Sequence, residues 1–335
     1  MRPRRATRRD CELNLRVKES HSALPLLPAR PANAHKGTFG TVAIIGGCAR
    51  AESRMIGAPA IAARAALRSG VGLARILTPG PILNEAITIT PSATGVALPT
   101  DADGNLVAHE AAAVFDEHTA NADSIVLGPG LGWSNEPHSL LAAGTSAVVL
   151  RAALHAECPL VLDADALNCL AATPDFQRDL RAPIVMTPHP GEFVRLAAAL
   201  SIKAPDASEP ARLAACEAMA QRLGCVVVLK GMHTVVSNGH ESWTCRRGHA
   251  CLATAGTGDV LAGLLGGLIA QFVRLMPIPG KTIPGTLSLM DCVRVGVEAH
   301  AIAGERWAAK NAEAGLLALE LADLVPEVLD TMRVR

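Results

Sequence analysis

Apolar residues along this chain fall into two kinds of run. The first kind is short, continuous and closed by glycine or a polar residue: Thr41-Val-Ala-Ile-Ile-Gly-Gly47, Ser124-Ile-Val-Leu-Gly128, Pro159-Leu-Val-Leu-Asp163, Ala182-Pro-Ile-Val-Met-Thr187 and Cys225-Val-Val-Val-Leu-Lys230. Runs without polar alternation predict strands covered on both faces, and so a parallel sheet. Leu73 to Thr78 adds a further strand. The second kind recurs at helical spacing. Gly57 to Gly70 is rich in alanine, with Pro59 tolerated in a first turn and Gly70 as a C-cap, and a second helix is predicted near 137–156. A third follows Gly258, where Val260, Leu261, Leu264, Leu265, Leu268, Ile269 and Phe272 share one period. Thr234 to Thr244 carries Asn238-Gly239 between apolar segments, a hairpin signature. A Pro/Gly loop at 275–286 and helices at about 287–309 and 315–330 complete the chain. The alternation predicts an α/β fold: a mostly parallel central sheet, helices on both faces and an antiparallel edge, in a single domain over residues 24–332.

Composition narrows the function. At 335 residues and 50% hydrophobic content, the chain can bury a large core. Its formal net charge is zero, which argues against nucleic acid as a general partner, and no apolar stretch is long enough to span a membrane. Function should therefore lie in a local pocket. The nine cysteines are odd in number and contain no C-x-x-C, which predicts reduced thiols and a cytoplasmic setting. Residues 1–23 differ from the rest. Over residues 1–18, Arg2, Arg4, Arg5, Arg8, Arg9, Arg16 and Lys18 face only Asp10 and Glu12, with no apolar segment behind them, so a basic, disordered extension is expected rather than a secretory signal.

In open parallel sheets, ligands sit beyond the carboxyl ends of the strands. The residues at those ends are unusual here: Gly46-Gly47, Gly128-Pro-Gly-Leu-Gly132, Asp163-Ala-Asp165, Pro188-His189-Pro190-Gly191-Glu192 and Lys230-Gly-Met-His-Thr234. Each alone reads equally as turn or cap chemistry, but together they line one edge of one sheet. Ala255-Gly256-Thr257-Gly258-Asp259 opens the helix after Gly258, whose first turn carries unpaired N–H groups and a partial positive charge suited to phosphate. A carboxylate there repels phosphate unless it is a base for an incoming hydroxyl. The competing reading makes Asp259 a helix cap.

Taken in order, these motifs carry a resemblance. His35-Lys36-Gly37, Gly46-Gly47, Gly57-Ala58-Pro59, Gly128 to Gly132, Asp163 to Asn168, Thr187 to Glu192, Lys230 to Thr234 and Ala255 to Asp259 look like those of the ADP/ATP-dependent NAD(P)H-hydrate dehydratases, a family of the ribokinase-like superfamily. The match runs from about residue 24 to residue 331. The resemblance implies a ribokinase-like fold and repair of hydrated NADH or NADPH (NADHX, NADPHX) at the expense of ADP or ATP with Mg²⁺. It implies Asp259 as catalytic base and an anion hole from Ala255, Gly256, Thr257 and Gly258. It places the hydrate on Ala58, Gly130, His189 and Asp259, and the nucleotide on Lys230, Gly231, Met232, His233, Thr234 and Gly258. Glu192 would hold Mg²⁺ through water, and a homotetramer is expected. The epimerase domain often fused ahead of such domains is not expected here, since only about 23 residues precede the match. Three departures stand out: no aromatic residue precedes Gly57, Asn84 to Thr90 matches weakly, and 275–286 looks inserted. Two rival readings remain, a ribokinase-superfamily kinase of a vitamin precursor or sugar, and a nucleotide sensor without catalysis.

Overall fold

The computed structural model describes residues 18–19, 23–134, 139–154, 158–178, 180–273 and 285–334. The basic stretch up to residue 17 and most of the expected loop at 275–286 lie outside them. In chain order the elements are β1 (Lys18–Glu19), β2 (Thr41–Ile45), β3 (Cys48–Arg50), β4 (Ser53–Met55), α1 (Gly57–Arg68), β5 (Leu73–Pro79), α2 (Leu83–Ile89), β6 (Thr94–Leu98), α3 (Ala108–Thr119), β7 (Ser124–Leu127) and α4 (Leu140–Ala153). Then follow β8 (Leu160–Leu162), α5 (Asp165–Ala172), β9 (Ile184–Met186), α6 (Pro190–Ala199), α7 (Glu209–Leu223), β10 (Val226–Leu229), β11 (Thr234–Ser237), β12 (Glu241–Cys245), α8 (Thr257–Phe272), α9 (Leu289–Lys310) and α10 (Ala318–Thr331).

Ten strands form one sheet in the order β1-β12-β11-β10-β9-β8-β7-β2-β5-β6. From β10 to β6 every pairing is parallel, and β11 runs antiparallel to both its neighbours, so the Asn238-Gly239 hairpin supplies the expected antiparallel edge. Beyond it, Lys18–Glu19 pairs in parallel with β12. The first long strand, β2, sits between β5 and β7, so the strand order reverses there, where ligands collect in such sheets.

Each central strand divides its side chains between two apolar layers. Val42, Ile44, Val126 and Val161 face a layer built with α1, α8, α9 and α10. Ala43, Ile45, Ile125 and Leu127 face a second layer containing Phe115, Phe193 and Met219 of α3, α6 and α7. Double coverage explains the absence of polar alternation in these runs. Helix α8 lies unusually close to its neighbours because glycine lines its inner face. A Cβ at Gly263 would fall 2.0 Å from Ala62 O of α1, and one at Gly266 would fall 2.3 Å from Val126 Cγ2 of β7. Among the elements that the apolar pattern did not single out are the β3–β4 hairpin, which is largely exposed at β4, and β6, whose five residues are mostly exposed.

Candidate active site

The strand-end residues do converge. Lys230 leaves β10 and sends its ammonium across the ends of β9 and β8, where Nζ donates to Asp163 Oδ1 at 2.7 Å and lies 4.0 Å from Glu192 Oε2. Thr187, after β9, donates its hydroxyl to the same Asp163 oxygen at 2.7 Å. Asp163 and Glu192 are only 2% and 5% exposed. A Cβ on Gly258 would sit 3.6 Å from Lys230 Nζ and 4.0 Å from Asp163 Oδ2, so glycine at the start of α8 lets this buried charge cluster reach the helix's first turn.

Asp259 stands on that turn. The N-cap position is Gly256, in the left-handed region at φ 85°, and no side chain caps the helix. Among the described residues, the Asp259 carboxylate accepts no hydrogen bond, which removes the capping reading. Burial, with the Asp163 carboxylate adding to it, pushes the Asp259 pKa up to about 7, against the opposing pull of Lys230. Glu192 is likewise raised to about 7, mainly by burial. Lys230 is held above its ordinary value: burial opposes its charge, but Asp163, Glu192 and Asp259 together outweigh it. One ammonium is thus shared among three carboxylates, and the two weaker claimants hold their protons near neutrality.

His189 takes a cap as its local role. As N-cap of α6 it accepts from Gly191 N at 2.9 Å and Glu192 N at 3.4 Å through Nδ1, while Glu192 Oε2 accepts from His189 N at 2.8 Å, a reciprocal capping box. The outer edge of its ring stays half exposed at the cleft. Burial, then Lys230 and Arg195, hold its pKa below the ordinary value. Across the cleft, Ala58 and Gly130 form one wall. Gly130 has φ 62°, and a Cβ there would come within 2.9 Å of Met55 Cβ and 3.0 Å of Ala58 Cβ. Gly132 N donates to Asp165 Oδ2 at 2.9 Å, tying the glycine turn to the start of α5.

The Lys230–Thr234 turn is braced from below. Arg212 of α7 donates to the carbonyls of Leu229 and Lys230 at 3.2 and 3.3 Å, and a Cβ at Gly231 would lie 3.1 Å from its guanidinium. Met232 is 86% exposed, His233 adopts φ 56°, and Thr234 Oγ1 closes the turn on Gly231 O at 3.0 Å. Residues that sequence patterning passed over are Arg212 and His300, and it gave no partner for Thr187. His300 of α9 reaches the carbonyl of Thr257 through Nε2 at 2.9 Å, and burial pushes it down to about 4, so a neutral imidazole donates to the base of the first turn of α8. No spacing reveals these partners, because each lies far away in the chain.

Among the described residues no three His, Cys, Asp or Glu side chains converge as a metal cage. Mg²⁺ ordinarily takes one or two carboxylates and completes its shell with phosphate oxygens and water. Glu192 and the second oxygen of Asp163 match that pattern, so the donor set fits Mg²⁺ carried in on a nucleotide.

The sequence profile of the NAD(P)H-hydrate dehydratases matches residues 42–327. The ADP-dependent (S)-NAD(P)H-hydrate dehydratase of Xanthomonas campestris pv. campestris is 33% identical over 312 residues, covering 93% of this chain and 95% of that protein. The bifunctional NAD(P)H-hydrate repair enzyme of Coxiella burnetii is 34% identical over 309 residues, 91% of this chain but 54% of that protein, so the chain spans about half its length. Among solved structures, the ADP/ATP-dependent NAD(P)H-hydrate dehydratase of Bacillus subtilis, co-crystallised with ATP and Mg²⁺, superposes with a TM-score of 0.67 at 27% identity over 92% of this chain and 99% of that one. A ribokinase-like protein of Enterococcus faecalis superposes at 0.70 with 24% identity, covering 92% and 93%, which bears on the fold alone. On the profile match and on identity sustained along nearly the whole chain, this protein belongs to the NAD(P)H-hydrate dehydratase family.

Proposed function

We propose that the chain is an ADP-dependent (S)-NAD(P)H-hydrate dehydratase acting in nicotinamide nucleotide repair. The observation that carries this reading is Asp259: an uncapped carboxylate on a glycine-opened helix turn, its proton affinity raised to about 7, beside the Lys230 ammonium. Such a group is a base poised at neutral pH next to a phosphate-binding turn.

The chemistry follows from a poor leaving group. The hydrate carries a hydroxyl on its nicotinamide ring, and hydroxide departs badly. Asp259 takes the hydroxyl proton as the ring oxygen attacks the β-phosphorus of ADP; the bond from that phosphorus to the bridging oxygen breaks, releasing AMP. The amides of Ala255 to Gly258 face the charge that builds on the transferring group, with Lys230 beside them. Glu192 would hold Mg²⁺ through water, and the ion would supply charge neutralisation on the nucleotide phosphates. The ring nitrogen then pushes its lone pair inward, the carbon–oxygen bond breaks and phosphate leaves; the iminium so formed gives up a proton from the adjacent ring carbon to the departing phosphate, which restores the double bond of NAD(P)H. In this assignment the hydrate rests against Ala58, Gly130, His189 and Asp259, and the nucleotide against Lys230, Gly231, Met232, His233, Thr234 and Gly258.

A cytoplasmic homotetramer is part of the same proposal and is checked by light scattering of the purified protein. The enzymatic reading is tested by incubating the protein with NADHX, Mg²⁺ and ADP or ATP while following absorbance at 340 nm. Nucleotide-dependent recovery of NADH with AMP and phosphate as products is expected. A stable phosphoester formed from a vitamin precursor or sugar, with NADHX untouched, would transfer the reading to a small-molecule kinase.

A further inference from the structure

The charge cluster occupies only one half of the strand-end edge. Lys230, Thr187 and Asp163 follow β10, β9 and β8, whereas Gly130 and Ala58 follow β7 and β2 at the point where strand order reverses. On the far side, beyond the ends of β2, β5 and β6, lies a cavity of about 600 Å³. Its wall includes Arg50 and Arg54 of the β3–β4 hairpin, Pro81, Asp103, Asn105 and Ser139. A volume of several hundred cubic ångströms matches a nucleotide-sized ligand.

Position along the edge makes this cavity informative. From β10 to β6 is six strand steps, roughly 29 Å at about 4.8 Å each. With the phosphoryl donor on the β10 side and the reacting ring over Gly130 and Asp259, the rest of a dinucleotide has to run toward β5 and β6. The path is short: Met55, whose Cβ lies 2.9 Å from where a Gly130 Cβ would be, is followed back along the hairpin by Arg54 in the cavity wall. The hairpin is fixed to the opposite wall, since a Cβ at Gly104 would lie 2.6 Å from Ala49 O.

Charge in the cavity is mostly spoken for, with two exceptions. Arg50 faces Glu52 at 3.4 Å. The Asp101 carboxylate accepts from Asp103 N at 3.0 Å, Asn105 N at 2.9 Å and Asn105 Nδ2 at 3.0 Å. Among the described residues, Arg54 makes no ion pair and the Asp103 carboxylate accepts no hydrogen bond. A guanidinium on the hairpin and a carboxylate on the wall it packs against, both left open, suit a phosphate and a ribose diol respectively.

We propose that this cavity binds the adenosine-phosphate half of the hydrated dinucleotide, with Arg54 on the adenosine-side phosphate and Asp103 accepting from the ribose hydroxyls. The assignment rests on the dehydratase reading for its ligand, but it can be measured without turnover. Calorimetry with NADH as probe should show about tenfold weaker binding to Arg54→Ala and a smaller loss for Asp103→Asn, with Arg54→Lys recovering part of the affinity. Reduced nicotinamide mononucleotide, which lacks the adenosine half, should bind wild type and Arg54→Ala alike, and ADP affinity should stay within twofold. The KM for NADHX should rise in step with the NADH dissociation constant. Unchanged NADH binding in Arg54→Ala, or an equal loss for the mononucleotide, would overturn the assignment. A wild-type protein that fails to convert NADHX yet shows the Arg54-dependent loss of NADH binding would refute the dehydratase reading and leave the cavity assignment standing.

Discussion

Asp259 and Glu192 hold their protons at a cost to the ligand-free fold, and that cost has a sign that can be measured. A carboxyl whose folded pKa is raised to about 7 binds its proton more tightly in the folded state than in the unfolded chain. Between an unfolded value near 4 and about 7, the folded form therefore holds more protons, and stability declines as pH rises through that window. Asp259→Asn removes one such penalty, on the order of 2 kcal/mol, so at pH 8 the variant should melt roughly 2–4 °C higher than wild type, and at pH 4 at nearly the same temperature. The same substitution should lower turnover by about 10²–10⁴-fold, because an amide cannot accept the hydroxyl proton. A variant that still dehydrates NADHX at near wild-type rate, with ADP dependence intact, would remove Asp259 from the mechanism. In wild type the kcat/KM for the hydrate should climb with pH through about 7, the limb on which Asp259 becomes a base. Lys230→Ala should act in the opposite direction on the fold. It leaves the buried Asp163 and Glu192 carboxylates without their ammonium, a loss of about 3–5 kcal/mol, and should weaken ADP binding more than NADH binding, read by calorimetry. At this scale the sequence was informative about residues that stand next to glycine-rich turns, Asp259, Lys230 and Gly130 among them. It said nothing about Arg212 or His300, and nothing about the Asp163 partner of Thr187, because these roles come from partners contributed by other elements.

Helix α8 shows how an element places a residue. Its first turn must reach the strand ends, which requires its body to lie nearly against α1 and the sheet. Gly263 and Gly266 make that approach available, and Gly267 adds to it where a Cβ would meet Ser69 Oγ at 2.1 Å. Helix propensity alone would favour alanine over glycine by about 1 kcal/mol. Contact decides otherwise: at Gly263 the new methyl would meet a backbone carbonyl that cannot step aside. Gly263→Ala should therefore lower unfolding free energy by about 1–3 kcal/mol in urea titrations and raise the KM for the hydrate as α1, with Ala58, is pushed away from α8. Gly57→Ala is the matched control. There the nearest atom is Ile61 Cδ1 at 3.7 Å, an ordinary contact, and the substitution should be neutral or slightly stabilising. Equal effects from the two substitutions would show that propensity, not approach, governs α8. Apolar periodicity read the extent of α1 and α8 closely, since α1 buries one continuous face and α8 is buried all round from Val260 to Phe272. It was silent on the β3–β4 hairpin and β6, which expose most of their residues and so carry no burial pattern to detect.

Across the whole molecule, the two ends of the domain are tied to each other rather than to the site. Leu27 is fully buried; its N–H donates to Met332 O at 2.7 Å and its carbonyl accepts from Val334 N at 2.9 Å. Arg30 lies over the Phe39 ring at 3.4 Å and donates to Gly70 O at 2.9 Å and Gln271 Oε1 at 3.2 Å, joining the lead-in to the ends of α1 and α8. The prolines at 25, 28 and 31 mark this segment as extended but give no sign that it is buried: proline fixes local backbone and carries no information about what lies beneath. Two truncations separate the contributions. Removing residues 1–22 takes away the Lys18–Glu19 pairing with β12 and a segment whose sequence is mostly polar, so the melting temperature should fall by no more than about 2 °C. Removing residues 1–30 also takes Leu27 and Arg30, exposes the face that Leu27 covers, and should cost about 2–5 kcal/mol, the range for losing a large core side chain. The strand-end cluster lies on other elements, so the shorter protein, held at a temperature where it stays folded, should keep its affinity for ADP. Loss of ADP binding at such a temperature, with circular dichroism unchanged, would show that the lead-in reaches the site by a route that these contacts do not contain.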